Sequence, residues 1–247
     1  HEGRYVTVPV HQGYIEPHAC VAWAGADGQH QIWCSSQGHF AVRAMCAKVL
    51  GLELRDIRVY PAEIGGGFGG KTTVYLEPVA LALSRQCGRP VRMVMSREEV
   101  FLASGPPSGG VVEVRLGAMK DGTIVAAEVT LKFQAGAFPG SPVGAGSMAA
   151  LACYAIEHAV VTGYDVVCNR PKVAAYRAPG APIAAFGVES AIDELAVILG
   201  MDPIDLRIRN AVKPGMKAVY GASFREIAFV ETLQAIQAHP QYRAPLG

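Results

Sequence analysis

Apolar and polar positions alternate with a period of two in several short stretches of this chain and near 3.6 in longer ones, so both strands and helices are expected. Residues 19–24 and 31–34 read as strands joined by a turn at Gly25-Ala26-Asp27-Gly28, a hairpin signal. Ser35-Ser36-Gln37-Gly38 then offers N-cap residues. Phe40, Met45, Val49 and Leu50 follow at helical intervals, and Gly51 suits the position just past a helix. Residues 55–64 read as a strand leading into Gly65-Gly66-Gly67-Phe68-Gly69-Gly70-Lys71-Thr72. A helix follows, with Pro78 in its first turn and Gly88 at its end. Residues 91–95 form an apolar strand, and Ser96-Arg97-Glu98-Glu99 starts another helix.

In the second half, residues 105–110 are a Gly/Pro-rich loop. Residues 111–116 and 124–133 flank Lys120-Asp121-Gly122, whose Asp-Gly pair signals a hairpin. Residues 135–147 are rich in Gly and Pro and poor in side chains to pack, which predicts a flexible surface loop or a loop shaped around a ligand. Residues 160–167 and 173–176 read as strands. Ala178-Pro179-Gly180-Ala181-Pro182 turns the chain into a helix reaching about Leu199 and ended by Gly200. Asp202 and Pro203 cap and open a helix to Val212; a last helix covers residues 224–237, and the tail from His239 is expected to fray. This mixture predicts an α+β fold with mixed sheets, hairpins and packed helices, not a doubly wound parallel sheet.

A chain of 247 residues can bury a full core as one large domain or two small ones. Charged residues make up 17% against the usual share of about 25%, which suggests that partner subunits cover part of the surface. Net charge is +1 with no run of Lys or Arg, so nucleic acid is a poor partner, and no apolar stretch is long enough to span a membrane. The start, His1-Glu2-Gly3-Arg4, is not a signal peptide and lacks an initiator Met, which suggests processing or a longer parent chain. The six cysteines are scattered without a Cys-x-x-Cys. That argues against zinc or an iron–sulfur cluster held by this chain and for free thiols in a cytoplasmic protein. His11 and His18 lack carboxylate or Cys partners in register, so no metal ligand is assigned.

The glycine loop concentrates the candidate chemistry. Five of its eight residues are glycine, and such a run lets a bulky, often anionic ligand approach the main chain. Gly65, Gly67 and Gly70 satisfy G-x-G-x-x-G, and Gly65, Gly70, Lys71 and Thr72 satisfy the P-loop pattern. A P-loop also needs a metal-holding Asp after a second strand, and Asp165 is a mediocre candidate. A dinucleotide fold wants an acidic residue at the end of the next strand. That strand ends at Met95-Ser96, and Glu98 lies past it. A packed turn that binds nothing is the third reading.

Residues 65–71 also resemble the Gly-Gly-Gly-Phe-Gly-Gly-Lys signature of the molybdenum hydroxylases, the xanthine dehydrogenase, aldehyde oxidase and CO dehydrogenase family. Further segments resemble that family in the same order. They are Gln12-Gly13-Tyr14-Ile15-Glu16-Pro17, Ser35-Ser36-Gln37, residues 92–99, and Ala175-Tyr176-Arg177-Ala178-Pro179-Gly180-Ala181-Pro182. Glu189 with Ile192-Asp193-Glu194-Leu195-Ala196, and Met201-Asp202-Pro203 through Asn210, complete the series. The resemblance implies a molybdopterin-binding domain of the xanthine dehydrogenase type over residues 1–238, with two subdomains meeting near 105–150 as an open possibility and a tail at 239–247. It implies a molybdopterin cofactor, usually a dinucleotide in bacteria, with iron–sulfur clusters and FAD on partner chains or domains, and a small-molecule substrate. Gln37 would hydrogen-bond an oxo ligand of molybdenum, Gly66, Gly67, Phe68 and Gly69 would bring the backbone to the metal and its dithiolene, and Arg177 would offset charge. Lys71 carries no assigned role beyond supporting the loop.

Thr72 stands where xanthine-type members have a Glu, and Pro179 where they have a substrate-stacking Phe, so a purine substrate is disfavoured. No segment resembles the copper-binding Cys loop of CO dehydrogenase. The family's general base belongs to a later segment, so no catalytic residue is assigned, and a fragment or split subunit of an enzyme oxidising an aldehyde or N-heterocycle with water as oxygen source is expected. Glu189 and Asp193, one helical turn apart, could imitate an acid/base dyad, but supporting carboxylates are the better reading. A P-loop nucleotide-binding protein and a non-catalytic interaction domain without cofactor are the alternatives. The family reading makes a geometric demand: Gln37, Phe68 and Arg177 must converge on one cleft, with residues 135–147 at its border.

Overall fold

In the computed structural model of the protein, residues 1–244 are described. Strand β1 (Glu2–Thr7) opens the chain and is followed by β2 (Ala19–Ala24), β3 (His30–Cys34), helix α1 (His39–Leu50), β4 (Ile57–Pro61), α2 (Glu77–Cys87), β5 (Val91–Val94) and α3 (Arg97–Ala103). The second half comprises β6 (Gly110–Ala118), β7 (Ile124–Gly136), α4 (Val143–Ala149), β8 (His158–Val167), α5 (Ala181–Leu199), α6 (Pro203–Arg209) and α7 (Phe229–Ala238). One sheet has the order β4-β3-β2-β5 and the other β1-β6-β7-β8. Each mixes antiparallel pairs with one parallel pair, β3–β4 and β7–β8, as an α+β fold with mixed sheets requires. A parallel pair cannot be closed by a tight turn, and α1 and α4 lie in the two crossovers.

Alternation along the strands sets which face is buried. Cys20 and Ala22 of β2, with Ile32 and Cys34 of β3, pack beneath Val42, Cys46 and Ala47 of α1 and Ala80 and Leu81 of α2. In the other sheet Val112, Val114, Val129, Leu131 and Phe133 face Ala184, Val188, Ala191, Ile192 and Leu195 of α5. Helix and sheet approach closely there because Gly187 has no side chain: a Cβ would stand 2.4 Å from Val112 Cγ1. Local chemistry ends the helices where expected. Ser96 and Glu99 form a reciprocal capping box, Asp202 accepts from the N–H groups of Ile204 and Asp205, and Gly51, Gly88 and Gly200 adopt the left-handed conformation past their helices. At α1 the N-cap is Gly38, and Ser36 Oγ accepts from its N–H at 3.0 Å instead of capping the helix.

Several local expectations are corrected. Strand β1 carries four polar or glycine positions in six and gives little sequence signal; its pairing with β6 over Glu2↔Arg115 to Thr7↔Gly110 forms it. Residues 173–176 form no strand. The N–H of Val173 goes to Ala135 O and that of Ala174 to Pro106 O, two different neighbours, so no ladder forms. Residues 135–147 are not a bare loop. β7 runs on to Gly136, Gly140 and Ser141 donate N–H groups to the Asp165 carboxylate at 2.7 and 2.8 Å, and α4 packs through small residues, a Cβ at Gly146 lying 2.9 Å from the Phe133 ring. α6 stops at Arg209, and α7 begins only at Phe229; Phe224 instead bonds back to Gly215 and Met216 beside the Lys217–Ser223 bridge. The tail continues in order to Ala244 as a 3-10 turn (Pro240–Arg243), with Tyr242 OH donating to the Asp202 carboxylate at 2.6 and 2.7 Å. Residues 245–247 of that expected tail lie outside the described residues. Among the described residues no helix is long and apolar enough to cross a membrane.

Asn210 ties three elements together. Its Oδ1 accepts from Ile124 N at 2.8 Å, and its Nδ2 donates to Gly122 O at 2.9 Å and Leu206 O at 2.8 Å, all in a buried position. Asn210→Ala leaves a buried N–H and a carbonyl unpaired and is expected to cost about 3 kcal/mol. Urea denaturation checks this as a fall in midpoint at unchanged slope; a loss below about 0.5 kcal/mol would show that the bonds are replaceable.

Candidate functional site

The glycine loop leaves β4 and is fixed from below by an ion pair whose ammonium is buried and whose carboxylate is partly exposed. Lys71, its side chain entirely inaccessible, donates from Nζ to Glu16 Oε2 at 2.6 Å and to Pro17 O at 3.4 Å, and its ammonium lies 5.2 Å from the centre of the Tyr14 ring. Glu16 Oε2 also accepts from Gly65 N at 2.8 Å, while Glu16 N donates to Gly65 O at 3.1 Å. Burial alone would raise the Glu16 carboxyl, but the Lys71 and Gly65 donors outweigh it and hold the group below the usual carboxylate range. Thr72 turns back as well, its Oγ1 donating to Gly69 O at 2.7 Å. In a P-loop the Lys and the hydroxyl both face the phosphate and Mg²⁺. Here both are spent on the protein, and Asp165 is occupied by Gly140 and Ser141, so nucleotide binding at this loop is not favoured.

Gln37 crosses to the loop from the turn before α1. Its Oε1 accepts from Gly69 N at 2.9 Å and Lys71 N at 3.2 Å, and its own N–H donates to Lys71 O at 2.9 Å. Two N–H groups converging on one amide atom identify that atom as the oxygen. The Nε2 group is thereby left without a protein acceptor among the described residues. Gly67 has to be glycine for the same contact, since a Cβ would stand 2.6 Å from Gln37 Oε1.

The second loop docks on the first. Phe68 O accepts from Arg177 N at 2.9 Å, the rings of Phe68 and Tyr176 meet edge to face at 6.5 Å, and a Cβ on Gly69 would lie 2.8 Å from Ala175 O. Gln12 Nε2 clamps the junction by donating to Ala175 O at 2.9 Å and Gly105 O at 3.3 Å. Gln37, Phe68 and Arg177 therefore belong to one cluster, although Gln37 and Arg177 are distant in sequence. The Phe68 ring and the Arg177 side chain are exposed. Phe68 (φ 52°) and Ala178 (φ 57°) are the two non-glycine residues in left-handed conformation among those described, one in each loop. Such strain costs about 1 kcal/mol or more per residue and is retained where the surroundings over-determine it. The N–H groups of Gly66, Gly67 and Phe68 have no protein acceptor among the described residues, giving three successive donors at the loop tip.

Residues 135–147 reach the second loop. A Cβ on Gly180 would lie 2.3 Å from Pro142 O, and Pro142 joins Tyr176, Pro179, Val8 and Val10 around an apolar groove of about 180 Å³. Glu16 and Gln12 are the residues whose roles sequence reasoning missed. Both sit in the segment 12–17 recognised as a motif, and a Glu and a Gln in so short an apolar-flanked segment were the available signal. His11 and His18 belong to a hydrogen-bond chain: His11 Nε2 meets Ser104 Oγ at 2.8 Å, Ser104 Oγ meets Tyr14 OH at 3.3 Å, and Tyr14 OH meets His18 Nε2 at 2.7 Å. Burial, with the Lys71 charge, lowers His18 to about 4 and keeps it neutral. Glu189 and Asp193 are structural. Arg207 donates to them at 2.8 and 2.7 Å, and Tyr154 OH donates to Glu189 at 2.8 Å, tying α5 to α6.

Comparison with known proteins bears on this geometry. A family model described as molybdopterin cofactor-binding domain matches residues 1–211. The chain is 31% identical to the xanthine dehydrogenase molybdenum-binding subunit of Escherichia coli, covering 91% of this chain and 31% of that subunit. It is 32% identical to the nicotinate dehydrogenase large molybdopterin subunit of Eubacterium barkeri, covering 94% of this chain and 56% of that one. The solved aldehyde oxidoreductase from Desulfovibrio gigas superposes with a TM-score of 0.90 at 28% identity, over 96% of this chain and 26% of that chain. The chain thus spans between about a quarter and just over half the length of these relatives.

The Glu16–Lys71 pair makes stability depend on pH. The folded carboxyl titrates below its unfolded value of about 4.3, so its contribution is full above that value and is lost as pH falls through the folded pKa. Glu16→Gln strands a buried ammonium and is expected to cost about 3 kcal/mol at pH 7. Denaturation curves at pH 7 and near pH 3 check the sign: the gap to wild type should narrow at the lower pH, and a gap independent of pH would refute the assignment.

Proposed function

Since the chain belongs to the molybdopterin cofactor-binding domain family, the family of xanthine dehydrogenase and aldehyde oxidoreductase molybdenum subunits, we propose that it forms one half of a molybdopterin site in a larger hydroxylase. The observation that carries this reading is the convergence of Gln37, the loop tip and Arg177. Gln37 Oε1 is bonded to the loop at Gly69 N and Lys71 N, and Phe68 O is bonded to Arg177 N, so three N–H groups without protein acceptors, an amide with a free Nε2 and an exposed Arg belong to one loop–loop junction. This donor set suits an anionic dithiolene group held close to the main chain, which side chains on Gly67 or Gly69 would block.

When bound, molybdopterin supplies a molybdenum centre able to accept electrons from a substrate C–H bond while oxygen from water is inserted. Gln37, its Oε1 held by the Gly69 and Lys71 N–H groups, would offer Nε2 as an uncharged donor to that centre. The Gly66, Gly67 and Phe68 N–H groups would be available to hold the cofactor, and Arg177 would offset its negative charge. Proton removal falls to a residue outside this set. Glu16 is held by Lys71, and Glu189 and Asp193 by Arg207, so none of these three is free to act as base. Turnover therefore requires the remainder of the molybdenum unit, with iron–sulfur and flavin groups on partner chains carrying electrons away. An aldehyde or N-heterocycle is the favoured substrate class, in line with relatives named for aldehyde and nicotinate oxidation and with Thr72 and Pro179 in this chain. The six unpaired cysteines suit a cytoplasmic setting.

Protein purified from its native source with its partners is expected to carry molybdenum and a fluorescent pterin in near-equal amounts. Metal analysis and oxidative pterin release test this, and absence of both would favour the non-catalytic interaction domain. In the same assembly Gly67→Val should lower bound pterin about tenfold or more, because its side chain enters the space of the Gln37 amide, while Gln37→Ala should retain pterin and lose turnover. Full pterin content in Gly67→Val would remove the loop from the cofactor site. The 247-residue chain alone is expected to show no hydroxylase turnover with an artificial electron acceptor.

A further inference from the structure

A cavity of about 340 Å³, lined by no residue of either loop, lies where the first turn of α1 meets the free edge of β4 and the 3-10 turn before it (Leu54–Asp56). Its lining includes Arg43, Arg55, Arg58, His39, Gln29 and Phe40. Asp56 is the one carboxylate paired with any of the three arginines among the described residues, at a loose 3.9 Å from Arg55. Arg43 is already oriented: its Nε and Nη2 both donate to Leu54 O, at 2.8 and 2.6 Å, which fixes the plane of the guanidinium and leaves Nη1 unpaired. His39 Nε2 is buried and has no hydrogen-bond partner. Arg58 has only a long contact, 3.5 Å, to Tyr60 OH.

Three cations sharing one concave space repel one another unless an anion joins them. We infer that this cavity is an anion site for a phosphate-bearing small molecule; its lining contains none of the residues assigned to molybdopterin, and it does not depend on that reading. The arginines choose phosphate over carboxylate by acceptor count. One guanidinium saturates a carboxylate in a bidentate pair, whereas a phosphate group offers oxygens to several forks at once. The orientation of Arg43 lowers the ordering cost of its share. The cavity exceeds the size of orthophosphate, and Phe40, 85% exposed, supplies an apolar wall for the organic part of a phosphate ester.

Calorimetric titration of the protein in its purified assembly, at low ionic strength, with orthophosphate, glycerol phosphate, pyrophosphate and citrate tests the assignment. The phosphate compounds should bind with Kd of about 100 µM or tighter, glycerol phosphate at least as tightly as orthophosphate, and citrate more weakly, all weakening with added salt. The double variant Arg55→Ala/Arg58→Ala should weaken phosphate binding about tenfold or more with an unchanged melting temperature, since both side chains are exposed. The single variant Arg58→Gln gives a second reading of the same loss should the double variant fold poorly. No binding, binding undiminished in the variants, or citrate binding as tightly as phosphate would overturn the assignment.

Discussion

The glycine loop rests on one buried ammonium. Lys71 lies at its end with no access to solvent, and its charge is balanced by Glu16, which also takes the Gly65 N–H at the loop's start. One carboxylate therefore closes the loop from both sides. An ion pair with a buried ammonium is weak evidence of net stability, because desolvating the charge offsets much of the Coulombic gain. Its value here is conformational. It fixes the two ends of a segment that, with five glycines in eight residues, has the backbone freedom to take many shapes.

What the ion pair anchors, amides then orient. Gln37 holds Gly69 and Lys71 by their N–H groups, and Gln12 holds Ala175 and Gly105 by their carbonyls. The first sets the loop tip, and the second brings the segment carrying Arg177 against it. Between them the Phe68 O to Arg177 N bond joins the two loops directly. This arrangement tolerates left-handed backbone at Phe68 and Ala178 because neighbours on several sides over-determine it. The donors left without protein acceptors are thus preorganised, and binding a ligand need not pay to assemble them.

The two sheets contribute differently. The β4-β3-β2-β5 sheet supplies the ends from which Gln37 and the glycine loop emerge, while α5 begins just after the second loop and is buried along the β1-β6-β7-β8 sheet. The two loops meet between elements built on separate cores, and each core is closed by its own helices. Rigid elements on both sides of a loop–loop contact are the setting in which exposed polar groups can be held to a defined geometry.

Much of this could be read from the residues. Caps at Ser96, Asp202, Gly51, Gly88 and Gly200 are short-range effects, so the helices they bound were legible locally. So were the β2–β3 and β6–β7 hairpins, and the ordered motifs pointed to the family and to Gln37, the glycine loop and Arg177. Strand β1 was not legible, because a six-residue polar-rich segment becomes a strand only when β6 offers its edge more than a hundred residues later. Residues 173–176 have strand-like side chains but no single neighbour to pair with, and α4 forms from poor helix formers because Gly146 lets it sit on Phe133. The inward turn of Lys71 and the flip state of Gln37 were equally beyond a linear reading. A side chain's direction is set by whichever partner competes best for it, and Glu16 and the Gly69 N–H reach those side chains only once the chain has folded.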